Sequence, residues 1–154
     1  MISIAIDGPS GAGKSTLAKA LAKKLGYIYV DTGAMYRSLA LFVLRKEIDP
    51  SDEKAVSEIL PEINIEMRYE NGIQHMLLCG EDVTDKIRTN EVSMTASKVS
   101  ALPSVRAFLL DMQKNIAEIN NVIMDGRDIG TVILPFATVK FFLNASEEQK
   151  AIRR

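Results

Sequence analysis

The eight residues Gly8-Pro9-Ser10-Gly11-Ala12-Gly13-Lys14-Ser15 constrain this chain more than any other feature. They fit G-x-x-x-x-G-K-[ST] without a mismatch. Their surroundings fit as well. Ile2 to Asp7 reads as a short buried strand. A helix pattern opens at about Lys14, with Leu17, Ala18, Leu21, Ala22 and Leu25 recurring at three and four and Gly26 as its stop. A glycine-rich turn in this setting aims successive backbone N–H groups at one anion, and the helix N-terminus adds partial positive charge. Lys14 would reach the β- and γ-phosphates, and the Ser15 hydroxyl can ligate Mg²⁺. The motif asks for a nucleoside triphosphate and magnesium. It leaves the phosphate acceptor open.

The rest of the chain alternates strand and helix. Ile28 to Val30 reads as a strand. Thr32 can cap a helix to about Lys46 that is apolar nearly all round, so it is expected to be buried. Glu53 to Leu60 reads as a short helix, residues 91–100 and 104–119 as two more broken at Pro103, and Ser146 as the start of a last one. Val122 to Met124 and Val139 to Leu143 are short apolar strands. One stretch departs from the pattern. Ile63 to Tyr69 alternates apolar and polar, Glu70-Asn71-Gly72 supplies a hairpin turn, and Ile73 to Cys79 returns, so about 64–88 reads as a small antiparallel β insertion. The expected fold class is α/β: a P-loop NTPase with a parallel sheet flanked by helices. Ligands in such sheets sit at the C-terminal strand ends.

Three arginines bear on the acceptor. Arg37 is expected in the first turn of a mostly apolar helix, and Arg106 in the first turn after Pro103. A cation there opposes the helix dipole unless an anion sits beside it, though each is equally readable as a solvated or salt-bridged residue. Arg127, in Asp125-Gly126-Arg127-Asp128-Ile129-Gly130, is expected to be buried at a strand end, where it needs a charged partner. Arginines apart from the phosphate loop suggest that the acceptor also carries a phosphate. A phosphate monoester is largely dianionic at neutral pH, so it needs alignment and charge neutralisation rather than a general base. Asp125 ends an apolar strand and is assigned to the magnesium site through water; a turn or cap aspartate is the plainer reading.

These residues resemble one family, the bacterial cytidylate (CMP/dCMP) kinases. The resemblance rests on Asp7-Gly-Pro-Ser-Gly-Ala-Gly-Lys-Ser-Thr16, Asp31-Thr-Gly-Ala-Met-Tyr-Arg37 and Asp125-Gly-Arg-Asp-Ile-Gly-Thr131. Ala96 to Ser100, Pro103 to Arg106 and Gly80 to Thr84 extend it over the whole chain. It implies phosphoryl transfer from ATP, with Mg²⁺, to CMP or dCMP, and ATP contacts along Gly8 to Thr16. It implies that Arg37 and Arg127 hold the acceptor phosphate, and that Ser97, Arg106 and Asp128 read cytosine. Thr32 and Tyr36 fall in the acceptor motif, Tyr36 being as readily a core aromatic. Lys14, Arg37, Arg127 and Asp128 are then the catalytic set. The insertion would be a nucleoside-monophosphate-binding subdomain able to close over its substrate. Two other readings stand beside it: a small P-loop kinase with a different acceptor, and a non-catalytic nucleotide-binding fragment.

Composition narrows the classes. With 19 Lys+Arg against 20 Asp+Glu, the chain is not a broadly basic nucleic-acid binder. Its one cysteine, Cys79, excludes an internal disulfide and a cysteine-based zinc site. No apolar run is long enough to span a membrane, and no basic leader precedes the first strand, so a cytoplasmic monomer is expected. His75 is read as structural or solvated, Met35, Met112 and Met124 as core, and Glu147 to Lys150 as a solvated helix face. Family members continue past Arg154 with a lid, a last strand and a last helix. The chain is therefore expected to be a single kinase domain lacking that part, its Val139 to Leu143 strand an exposed apolar edge. Arg153 and Arg154 fall where that lid begins, near ATP.

Overall fold

In the computed structural model, which describes residues 1–153, the apolar run after Ile2 forms strand β1 (Ser3–Asp7). The chain divides into two compact units, one made of Met1–Thr32 and the residues from Met112 onward, the other of Gly33–Asp111.

The first unit is a parallel sheet with the phosphate loop at the C-terminal end of its inner strand β1. Its strands are β1, β2 (Ile28–Asp31), β6 (Val122–Gly126) and β7 (Val139–Phe142), in the order β2-β6-β1-β7. Helix α1 (Lys14–Leu25) follows the loop and ends on Gly26, whose left-handed backbone closes the last turn on Ala22. Ala18 and Ala22 bury against Ile4, Ile6, Tyr29 and Ile123, with Leu17 and Leu21 at the margin. Small residues on the helix let it lie close to the β-branched sheet face. Register places Asp31 beside Asp125 and Asp7 beside Gly126, so the C-terminal ends of three strands carry carboxylates, Asp7 one position beyond the other two. Strand β7 pairs with β1 on one side, and Val139, Phe141 and Phe142 are exposed, Phe142 by 73%. Helix α6 (Glu147–Arg153) closes the described chain.

The second unit holds most of helix α2 (Thr32–Arg45), then α3 (Glu53–Ile59), a three-stranded antiparallel sheet, α4 (Asn90–Val99) and the start of α5 (Pro103–Ile119). Helix α2 is buried or half-buried along its length except at Arg45, as its nearly all-round apolar pattern requires. The sheet runs β3 (Ile65–Glu70), β4 (Ile73–Leu78) and β5 (Glu81–Asp82). Asn71 and Gly72 both take positive φ, 52° and 76°, as a tight hairpin between twisted strands requires. Cys79 and Gly80 repeat the device at 49° and 85° and turn the chain into β5, a strand absent from the expected pair. Arg45 grips Glu81 through two hydrogen bonds of 2.7 and 3.1 Å, and Lys86 pairs with the same carboxylate. His75 Nδ1 lies 3.0 Å from Asp82, a structural pairing within this sheet.

Three expectations need correction. Helix α2 begins at Thr32, directly at the end of β2, so Arg37 is its sixth residue and lies in the second turn. The helix dipole therefore does not act on it, because that field fades beyond the first turn. Arg127 is exposed, not buried, because β6 ends at Gly126 and the chain leaves the sheet there. Lys150 is buried, at 8% exposure, because its backbone lies against Gly11 of the phosphate loop. Its ammonium meets Glu147 at 2.8 Å. Met35 and Met124 are core residues and Met112 is half-buried. Among the described residues no helix is long and apolar enough to cross a membrane.

Candidate nucleotide-phosphate site

The phosphate loop is shaped by what surrounds it. The Leu143 amide donates to the Asp7 carbonyl at 2.7 Å, which brings the end of β7 against Gly8. A Cβ on Gly8 would lie 2.0 Å from the Leu143 carbonyl oxygen, so no other residue fits there. Gly13 caps α1 in a left-handed conformation with no side-chain cap bond. The first-turn amides of α1 therefore lack a side-chain acceptor from their cap, as an anion site requires. Lys14 folds back over the loop and donates to the Pro9 carbonyl at 2.9 Å. Burial lowers its pKa; Asp125 and Asp7 oppose that shift and Arg127 adds to it, so all three charges bear on Lys14. Arg153 donates to the Gly11 carbonyl at 3.1 Å, which places it against the phosphate loop; Arg154 lies outside the described residues.

Beneath the loop lies a carboxylate cluster. Asp125 is 5% exposed, and the Tyr29 hydroxyl donates to both of its oxygens at 3.3 Å. Burial first, then the neighbouring Asp31, pushes the Asp125 pKa up to about 6, against hydrogen bonds from Ser15 and Tyr29 and the charge of Lys14. Burial likewise raises the Tyr29 phenol, so it stays a neutral donor. Thr32, expected among the acceptor contacts, donates its hydroxyl to the Asp125 backbone carbonyl at 2.8 Å. It ties β2 to β6 directly under the site.

These residues fit a magnesium ion. The oxygens of Ser15 and Asp125 are hard donors, the chemistry Mg²⁺ takes. A buried carboxylate raised by a second carboxylate is short of positive charge, which a divalent cation supplies.

The chain after β6 carries Arg127 and Asp128 and then makes a single π-helical turn, Ile129–Ile133. Asp128 precedes the turn, and its carbonyl accepts from Val132 at 2.9 Å, but its side chain makes no capping bond. Instead Asp7 accepts from the Ile129 amide at 2.7 Å and the Gly130 amide at 2.8 Å. Asp7 was not among the candidate residues, because nothing local to β1 reveals an acceptor for amides 122 residues away.

The other candidates belong to the second unit. Tyr36 and Arg37 are half-buried on α2. Ser97 and Arg106 are exposed, on α4 and α5. Ser100 links them: Arg106 donates to the Ser100 carbonyl at 3.4 Å, and the Ser100 hydroxyl donates to the Ser97 carbonyl at 2.9 Å.

A strand, an anion-shaped loop, a helix and an acidic strand end are common to many nucleotide-binding proteins. The decisive finding is a match of residues 4–154 to the cytidylate kinase family model. This chain belongs to the cytidylate kinase family. Curated relatives named cytidylate kinase include one from Caldicellulosiruptor bescii, 55% identical over 99% of this chain and 68% of its own length. Another from Streptococcus suis is 50% identical over 99% of this chain and 68% of its own length. One from Lactobacillus gasseri is 48% identical over 100% of this chain and 67% of its own. The chain thus spans about two thirds of the length of these family members.

Proposed function

We propose that the protein transfers the γ-phosphoryl group of ATP to CMP or dCMP, giving ADP and the cytidine diphosphate. The observation that supports this reading most is the phosphate loop with Lys14 set beside the buried Asp125, in a chain of the cytidylate kinase family. In the reaction an oxygen of the acceptor phosphate attacks the γ-phosphorus, and the bond to the β–γ bridging oxygen breaks, leaving ADP. The acceptor is already anionic, so this chain's residues need to align and neutralise rather than remove a proton.

Each residue then has one task. Residues Gly8 to Thr16 bind the ATP phosphates, through backbone N–H groups except at Pro9, which has none. Lys14 exchanges its contact with Pro9 for the β- and γ-phosphate oxygens, stabilising charge on the transferring group. Ser15 and Asp125 would hold Mg²⁺, which when bound neutralises the phosphate oxygens. Tyr29 keeps the Asp125 carboxylate oriented. Arg37 and Arg127 hold the acceptor phosphate, and Tyr36 lies next to Arg37 on the same helix. Asp128 or Ser97 accepts from the cytosine amino group, while Arg106 donates to the ring acceptors. A uracil base presents a carbonyl where the amine stands, which sets Asp128 against an acceptor.

The test is a phosphoryl-transfer assay with purified protein, ATP and Mg²⁺ against a panel of monophosphates. Transfer to CMP and dCMP above UMP and AMP supports the reading. Preferential transfer to a purine monophosphate, or to a hydroxyl acceptor, overturns it.

A further inference from the structure

The π turn Ile129–Ile133 presents backbone N–H groups at its start that need acceptors, as any helical turn does. The residue placed to supply one is Asp128, an aspartate in the capping position, a residue type favoured there. Its side chain does not cap. Both of the first amides are taken instead by Asp7, one per carboxylate oxygen. Asp7 is buried, at 8% exposure, and its main chain is fixed on both sides. It pairs with Gly126 of β6, and its carbonyl accepts from Leu143. Its side chain thus projects from a rigid point immediately before Gly8 onto the loop that follows Arg127 and Asp128.

The fit is close. A Cβ on Gly130 would lie 3.3 Å from the Asp7 Oδ2 and 3.1 Å from the Lys140 Cδ, so any larger residue would crowd the carboxylate by a few tenths of an ångström. Bonds from N–H to a carboxylate are charge-assisted and shorter than neutral ones, as the 2.7 and 2.8 Å distances are.

We infer that Asp7 is a positioning residue for acceptor recognition: by capping the Ile129–Ile133 turn from strand β1, it sets the loop that presents Arg127 and keeps the Asp128 carboxylate out of the capping role. This rests on the proposed function for what Asp128 reads, but the anchoring of the turn does not depend on it. The Asp7 main chain holds the base of the phosphate loop and its side chain holds the acceptor loop, so a side-chain change that keeps the main chain disturbs recognition of the acceptor more than binding of ATP.

The experiment uses Asp7→Asn, which keeps the side-chain shape. An amide offers one acceptor oxygen and sets an NH₂ group against the other backbone N–H. Two readouts are taken: hydrogen exchange at the Ile129 and Gly130 amides, and kcat/KM for CMP, UMP and ATP. The expected result is exchange at both amides faster by about tenfold or more, the scale of one lost charge-assisted bond. The preference for CMP over UMP falls by about tenfold, and the KM for ATP stays within about threefold. If Asp7→Asn does not fold, Gly130→Ala perturbs the same contact from the other side and is expected to give the same pattern at smaller amplitude. Unchanged exchange overturns the anchoring. Faster exchange with an unchanged CMP/UMP preference, or with equal losses for ATP and CMP, overturns the positioning role. A wild-type protein that uses no cytidine nucleotide would overturn the proposed function instead, and the exchange data alone would still decide whether Asp7 holds the turn.

Discussion

The Tyr29 phenol donates to both carboxylate oxygens of Asp125, each at 3.3 Å. A neutral donor therefore sits under a carboxylate that burial and Asp31 hold at a pKa of about 6, above its ordinary 3.8. Because the folded pKa is raised, the folded state holds the proton more tightly than the unfolded one. The group's contribution to stability is complete below pH 4 and is lost as pH rises through about 6. Asp125→Asn is expected to stabilise the metal-free protein at pH 7.5, by at most about 3 kcal/mol, since each pKa unit is about 1.4 kcal/mol. The gain should shrink toward zero near pH 4. Urea unfolding of both proteins across this range measures it, and a pH-independent difference would contradict the account.

Lys14→Ala should cut phosphoryl transfer by about a hundredfold to a thousandfold, the scale for removing one group that stabilises transition-state charge. Its ammonium touches only the Pro9 carbonyl among the hydrogen-bonding groups described, so the fold should persist. Circular dichroism and a thermal melt establish folding before turnover is read. Near-normal turnover in a folded variant would remove Lys14 from the mechanism.

Base contacts discriminate and phosphate contacts do not. Asp128→Ala is expected to lower kcat/KM for CMP at least about tenfold more than for UMP. Arg37→Ala should weaken both by a similar factor of roughly ten to a hundred, the worth of a hydrogen bond to a charged group. Steady-state kinetics with the two monophosphates separate these outcomes. Equal losses in Asp128→Ala would end its assignment as a cytosine reader.

What was readable in the chain follows from how local each requirement is. The phosphate loop, helix α1 with its Gly26 stop, and the Asn71-Gly72 hairpin each answer to conformational demands made within a few residues. Strand β5 is two residues long, too short for a pattern, and its turn uses Cys79 where asparagine or aspartate would have been the signal. The π turn at Ile129 was hidden because its capping group stands 122 residues earlier, in β1. Arg127 and Lys150 depart from expectation for the same reason: exposure depends on where a strand ends and on what packs against a loop, and neither is written in the neighbouring residues.

Glu81 gives a test of the antiparallel sheet. Hydrogen bonds from Arg45, then Lys86, hold its carboxyl down at about 2, below its ordinary 4.5. A depressed pKa contributes stability that is present above pH 4.5 and lost as pH falls through about 2. Glu81→Gln is expected to lower the Tm at pH 7 modestly, the pair being partly exposed, and to have a much smaller effect near pH 2. Thermal melts at the two pH values check this; a loss of equal size at both would assign it to packing instead of charge.

The central claim is that this phosphate loop serves transfer to a cytidine monophosphate. The most direct measurement is the initial rate of ATP consumption in the presence of Mg²⁺ with CMP, dCMP, UMP and AMP offered separately at equal concentration. The account predicts that CMP and dCMP are phosphorylated, that UMP is used less well, and that AMP is used least, with one cytidine diphosphate recovered per ATP consumed when CMP or dCMP is the acceptor. ATP consumed in the presence of CMP or dCMP without a cytidine diphosphate, or at the same rate for all four acceptors, would contradict it.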